Sequence, residues 1–330
     1  RSFITLLVIL LTLFGIMSFI SPHRFPTVFN LQSMAVQISD IALMALAMLV
    51  VILTGNINLS VVATSNLSGI LCALIANGTL MSDFTNSLEI RILAATLAAI
   101  MSGAMCGLLN GLFIGKLKLA SILVTVATMS LFDGISTVLT RGQSVMGIPK
   151  QMLEFGGANY FGIPSVLLIV VLAFVIVGVI LNAMSLGEHI KLYGANPVAN
   201  LYSGGKNCKI VIISYIISGV LAGISGVIVY TKVGVARVDY GSSYTNIILL
   251  IVLLSGASMA GGFGKLANLF FAAIAVQIIS SGLTIGGFSA YFRQVSWGVL
   301  LLLVIVLNTE VFRSKRRLVL QRWKGGRVQM

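Results

Sequence analysis

The chain has 330 residues, of which 58% are hydrophobic and only 9% charged, with a mean hydropathy of +1.07 and a formal net charge of +13. An ordinary globular domain carries about 25% charged residues, so a water-soluble fold has too little polar surface here to cover its apolar mass. That excludes a soluble enzyme, and the positions of the basic residues account for the charge without a nucleic-acid partner.

Crossing a hydrocarbon core takes about 20 apolar residues in a helix, because every backbone N–H and C=O must be satisfied within the segment. About ten stretches meet that requirement: 3–21, 36–54, 59–77, 91–114, 119–139, 165–184, 210–231, 244–260, 265–283 and 294–309. The first is read as a span and not as a secretory signal, since apolar segments recur to the end of the chain.

Between the second and third spans the sequence turns polar. Thr54, Gly55, Asn56, Ile57, Asn58, Leu59 and Ser60 are followed by Thr64, Ser65 and Asn66. Amide groups and glycine in an apolar helix are tolerated where they face a bundle interior or a wet cavity. The run therefore reads as a pathway lining or gate, or alternatively as a polar turn with interhelical hydrogen bonds. Asn110 in the fourth span, Thr125 and Thr128 in the fifth and Asn246 in the eighth add polar atoms of the same kind, as does Gln277 in the ninth. Gly103, Gly107 and Gly111, and Gly219 and Gly223, have the spacing of close helix packing, within the chain or between copies. A second break, Ser255 to Lys265 with Gly256, Gly261, Gly262 and Gly264, follows Leu253 and Leu254 much as Thr54 and Gly55 follow Ile52 and Leu53. Paired interruptions of this type mark transporter halves. The pathway or gate candidates are thus Asn56, Asn58, Ser60, Asn66, Asn110, Thr125, Thr128, Asn246 and Ser255.

The long segment 185–209 contains Asn196 before Pro197, a helix cap with proline in the first turn, and Gly204 or Gly205 as a stop. It predicts a helix of about two turns carrying Val198, Leu201 and Tyr202 as apolar handles, packed on lipid, on the chain itself or on a cytoplasmic ATPase. At the end of the chain, Arg313, Lys315, Arg316, Arg317, Arg322, Lys324 and Arg327 form a basic tail. An even number of crossings places both termini on one side, and the positive-inside bias makes that side cytoplasmic. Lys116, Lys118, Lys191, Lys206, Lys209 and Lys265 fall on the same side, and Asp83, Glu89, Glu154 and Asp239 opposite. Arg24, Arg141, Lys150, Lys232, Arg237 and Arg293 run against the rule. The expected fold is an all-α polytopic membrane protein with one transmembrane domain over 1–330, a cytoplasmic loop 185–209 and a cytoplasmic tail 310–330.

The acids expected inside the membrane are Asp40 and Asp133, each placed near the outer end of a span, and the histidines are His23 and His189. This pattern holds no proton-relay chain, although sodium coupling through backbone carbonyls would leave no such trace. Paired catalytic acids, a nucleophile motif and a phosphate-binding loop are missing from the sequence, and Cys72, Cys106 and Cys208 lack metal-ligand spacing. Energy for transport is expected from a partner.

In order and spacing these pieces resemble the permeases of ribose-type ABC importers, which carry pentoses, hexoses and the furanosyl autoinducer. Thr54-Gly55-Asn56-Ile57-Asn58-Leu59-Ser60 is similar to the family's Ser-Gly-Gly-Ile-Asp-Leu-Ser motif. Leu109 to Lys118 is similar to its Leu-Asn-Gly-Leu span with a following Lys-Leu-Lys, and Thr125 to Met129 to its Thr-Leu-Gly-Thr-Met. Gly194, Ala195, Asn196, Ala199, Asn200, Ser203 and Gly204 resemble its coupling segment, and Gly261 to Gly264 its late glycine turn. Asn58 stands where the family has an acid, Asn56 where it has a second glycine, Val62 where a small glycine is usual and Asn200 where it has alanine. The resemblance implies a bacterial inner-membrane permease, dimeric with itself or a second permease, served by a periplasmic binding protein. A cytoplasmic ATPase pair would hold the ATP and Mg, leaving no cofactor in this chain, and would dock through Gly194, Asn196, Ala199, Leu201, Ser203 and Gly204. Alternating access of a sugar or sugar-like solute is the expected function, with a gradient-driven carrier or a membrane scaffold as alternatives.

Overall fold

The computed structural model describes residues 2–80, 87–160 and 162–306; Asp83 and the basic tail 310–330 lie outside them. In chain order the elements are α1 (Ser2–Ile20), α2 (Val28–Ile52), α3 (Val61–Ala76), α4 (Leu88–Gly115), α5 (Ser121–Thr140), α6 (Lys150–Gly157), β1 (Asn159–Tyr160) and β2 (Ile163–Pro164). They continue with α7 (Ser165–Ala183), α8 (Ser185–Ala195), α9 (Pro197–Tyr202), α10 (Asn207–Val233), α11 (Tyr244–Leu254), α12 (Leu266–Ile285) and α13 (Ala290–Val306). By length and composition α2, α4, α5, α7, α10 and α12 can each cross a membrane; α3, α11, α13 and Leu7–Ile20 of α1 are shorter apolar helices. The two strands form one small antiparallel ribbon, Asn159 opposite Pro164 and Tyr160 opposite Ile163.

The largest departure from the expected spans is α2, which begins at Val28 and not at residue 36. Thr27 caps it, its hydroxyl accepting from the Asn30 N–H at 3.2 Å. Asn30, Gln32 and Ser33 interrupt the apolar run ahead of residue 36, which is why the expected span starts late. Asp40 consequently lies at the middle of α2, not near an end as expected from the shorter span. α11 ends at Leu254, before the expected residue 260, because Gly256 takes a left-handed conformation (φ 77°) that interrupts the helix.

From Ala42 to Leu53, every residue of α2 and its cap is at most 1% exposed. A helix apolar on all sides belongs at the centre of a bundle, and α3, α7, α10, α11 and α12 surround it. Beside it α4 and α10 cross closely. Gly103 and Gly219 each face the other's carbonyl, and a Cβ at Gly111 would lie 2.8 Å from the Ile212 Cα. The glycine spacing is therefore used inside the chain, which rules out those faces as the contact between copies.

The two ends of the bundle differ. One carries α8 and α9, next to the end of α2 and the start of α10: the Asn207 amide donates to the Pro197 carbonyl at 3.0 Å. The other, here the far end, carries α6, the ribbon and segment 234–243, which a Val145–Ala236 bridge fastens down.

Candidate functional site: a walled cavity and a polar seal

At the α9 end the break after α2 is tied by hydrogen bonds to three other helices. Asn58 accepts through Oδ1 from the Ser60 hydroxyl (2.8 Å) and N–H (3.2 Å), and its Nδ2 donates to Ser218 on α10 (3.1 Å). Asn110 on α4 donates to the Ser60 hydroxyl (2.8 Å), and Thr128 on α5 donates to Asn110 Oδ1 (2.7 Å). Tyr215 donates to the Ile57 carbonyl at 3.2 Å, and Thr125 sits below it, donating to Ser121 O at 2.8 Å. Asn58, Ser60, Asn110, Thr125, Thr128 and Ser218 are all buried. Buried polar groups are expensive unless paired, and this set pairs itself, so it fixes one arrangement of α3, α4, α5 and α10. Asn58, standing in place of an acid, supplies both a donor and an acceptor here, which a carboxylate does not.

The second break packs on the first. The Gly262 N–H donates to the Leu53 carbonyl at 2.9 Å, and a Cβ on Gly261 would sit 2.7 Å from the Gly55 nitrogen and 2.8 Å from the Gly194 carbonyl. Gly194, in the last turn of α8, lies so near Leu53 that any side chain would overlap its carbonyl oxygen. Both breaks and the lead-in to α9 thus meet backbone to backbone. Asn56 donates to Thr54 at 2.9 Å within the first break, and Ser255 bonds to Val252 O at 2.6 Å within the second.

α9 itself matches its expected caps: Asn196 Oδ1 accepts from Val198 N (2.9 Å) and Ala199 N (3.2 Å), and Gly204 ends it at φ 82°. Ser203 bonds back to Ala199 O at 3.0 Å. Val198, Leu201 and Tyr202 are 58%, 57% and 90% exposed, an apolar surface left open among the described residues. Asn200, the departure from the family's alanine, is a buried hub. His189 Nδ1–H donates to its Oδ1 (2.9 Å) and its Nδ2 donates to Asn207 (2.6 Å), joining α8, α9 and α10. Because the Asn200 Oδ1 is the acceptor, the His189 proton is assigned to Nδ1.

Toward the far end lies a cavity of about 730 Å³ between α2, α11, α12 and α13. Its α2 wall is a stripe with helical spacing: Phe29, Gln32, Ser33, Val36, Gln37 and Ile41. α12 adds Ser280 and Gln277, whose Nε2 donates a hydrogen bond to Gln37 Oε1 at 3.0 Å. Trp297, Gln294 and Arg293 come from α13, Tyr244 from α11, and Lys232 and Tyr240 from the end of α10 and the segment after it. The Tyr240 and Tyr244 rings meet edge to face, centroids 5.7 Å apart. Burial, and then the nearby Asp40 carboxylate, raise the Tyr240 phenol above its ordinary pKa, so it remains a donor at neutral pH.

None of the nine expected pathway residues lines this cavity. Five of them, Asn58, Ser60, Asn110, Thr125 and Thr128, are gathered in the buried polar cluster at the break after α2 instead. Asn66 pins segment 234–243 by donating to Val238 O (2.8 Å) and Tyr240 O (2.9 Å), and Asn246 is exposed on α11. Sequence reasoning missed Gln32, Gln37, Lys232 and Trp297. Gln32, Ser33 and Gln37, spaced to share one helix face, were the available signal on α2.

The family model described as branched-chain amino acid transport system / permease component matches residues 30–307. The chain belongs to this permease family. The permease is a multi-pass membrane protein, and it is similar over most of its length to sugar-transport relatives. The ribose import permease protein of Escherichia coli K12 is 30% identical over 308 residues, covering 92% of each chain. That of Bacillus subtilis 168 is 31% identical over 283 residues, 85% of each. The E. coli K12 D-allose transport system permease protein is 28% identical over 304 residues, 92% of this chain and 89% of that one. No solved structure matches the permease.

Proposed function

We propose that this permease forms the translocation pathway of an ATP-driven importer for a sugar or sugar-like solute, working by alternating access in the bacterial inner membrane. The observation that carries the reading is the asymmetry of the bundle: a roomy amide- and hydroxyl-lined cavity at the far end, and at the other a sealed knot beside an exposed apolar helix. The chain crosses ten times with both termini in the cytoplasm, α9 faces the cytoplasm and the cavity opens outward. A cytoplasmic ATPase pair covers Val198, Leu201 and Tyr202 and supplies ATP and Mg; a second permease and a periplasmic binding protein complete the importer. Movement of α9 reaches both breaks through Gly194. The relatives named for ribose and allose favour a sugar, as do the amides, hydroxyls and aromatic rings of the cavity wall, which suit vicinal hydroxyls.

A gradient-driven carrier is the second reading, favoured by the ion pair between Asp40 and Lys232 beside the cavity. Reconstitution in liposomes separates the two. Uptake that requires ATP, the ATPase, the partner permease and the loaded binding protein is the expected result, whereas uptake by this chain alone under an ion gradient would replace it with the carrier.

A further inference from the structure

Lys232 lies in the last turn of α10, yet its side chain reaches back into the bundle, where the ammonium is 2.7 Å from Asp40 Oδ1 and 3.4 Å from the Val36 carbonyl. Lys232 is in the cavity wall; Asp40 is not, and its side chain is fully buried. The carboxylate therefore stands behind the ammonium as seen from the cavity. Asp40 Oδ2 has no hydrogen-bond partner among the described residues, which leaves Lys232 as the group that offsets its charge. An ammonium has three donors. Two are directed at Asp40 and Val36, and the third is available to the cavity. The level of this contact is close to Ile41, the last α2 residue in the wall, so it marks the inner end of the chamber. The other cation of the wall, Arg293, is held by Thr284 at 2.6 Å near the outer turn of α13.

We propose that Lys232 contacts the cargo, donating a hydrogen bond to a hydroxyl or ring oxygen at the floor of the chamber, and that Asp40 masks its charge so that uncharged polyhydroxylated solutes are preferred over anionic ones. This deepens, and rests on, the transport reading. A lysine used in this way gives a fixed donor without a net field: the pair is neutral, removing Lys232 leaves the buried Asp40 charge unpaired, and removing the Asp40 charge leaves a net positive charge at the chamber wall. Lys232 is the binding residue, and Asp40 is a positioning and specificity residue that acts through it.

The test is direct binding to the full-length permease in lipid nanodiscs, read by the fluorescence of Trp297, which lines the chamber. The chain has two tryptophans, so Trp323→Phe isolates the signal. D-Ribose and its C1 acid, D-ribonate, serve as probes. The native pair is expected to bind ribose more tightly than ribonate. Lys232→Met should weaken ribose about tenfold, Lys232→Gln, which keeps a donor without charge, should restore most of it, and Asp40→Asn should shift the ribonate-to-ribose preference by about tenfold or more toward ribonate. Equal ribose affinity in Lys232→Met with an unchanged melting temperature would overturn the proposal, as would an unchanged preference in Asp40→Asn or no ribose signal at all. ATP-driven uptake by the assembled importer is read separately. If the native assembly takes up sugar and Lys232→Met does so with the same KM, the floor contact is wrong and the transport reading stands; if the native assembly shows none, the transport reading falls by itself.

Discussion

Asn110 shows what a single polar side chain does in this bundle. It donates to Ser60 and accepts from Thr128, so Asn110→Leu removes one partner from each of two buried hydroxyls, leaving Ser60 with Asn58 Oδ1 and Thr128 with the Thr125 carbonyl. Membrane double-mutant cycles assign about 0.6 kcal/mol to such bonds, with an upper end of about 1.7. Asn110→Leu should therefore lower the melting temperature of the permease in nanodiscs measurably. A cycle with Thr128→Val should return a coupling in that range, and full additivity would show that the bond contributes nothing. The sequence names Asn58, Ser60, Asn110, Thr125 and Thr128 as polar atoms in apolar segments. Their meeting was hidden, because Asn58 and Ser218 are 160 residues apart and side-chain pairing across helices has no local signature. Lys232 and Gln37 were read past for the opposite reason: each looked like an ordinary residue of a loop or a span margin.

Among the elements, the junction of α8 with the two breaks is the tightest contact. A methyl group on Gly194 overlaps the Leu53 carbonyl and approaches the Gly262 nitrogen to 2.5 Å. Overpacking of this kind costs about 1–3 kcal/mol and displaces backbone, so Gly194→Ala should reduce ATP-driven uptake by about tenfold or more. Thr137→Ala, which removes an exposed hydroxyl that, among the described residues, bonds only to its own helix, should stay within about twofold. Equal uptake by the two variants would show that α9 acts without this junction. Hydrophobic runs made the apolar helices legible, and α9 was legible from its Asn-Pro start and glycine stop. The true start of α2 was not. Its first turns present one polar face to a cavity and one apolar face to neighbours, and a window average over both reads as a loop. α8 carries Glu188, His189 and Lys191 on a short helix, which offered no run to find.

For the molecule as a whole, orientation can be read from its cysteines. Cys72 and Cys106 are buried, while Cys208 is exposed in the first turn of α10, beside α9. A membrane-impermeant maleimide should leave the protein unlabelled in intact cells and label it in inside-out vesicles, with Cys208→Ser abolishing the signal. Labelling from outside would invert the proposed topology and make the cavity open inward. The packing of α4 on α10 through Gly103, Gly107 and Gly219 also shifts the search for the dimer contact to other surfaces of the bundle.

The buried stretch of α2 has an electrical consequence. From Ala42 to Leu53 it measures about 17 Å along its axis, against a hydrocarbon thickness of about 30 Å. In the proposed orientation, with the chamber open outward and filled by water, most of the membrane voltage falls across that short plug. Asp40 and Lys232 stand at its upper edge as a neutral pair and add no gating charge. A sugar without charge then passes the plug with no electrical work, while a solute bearing one charge exchanges about 2.3 kcal/mol for every 100 mV.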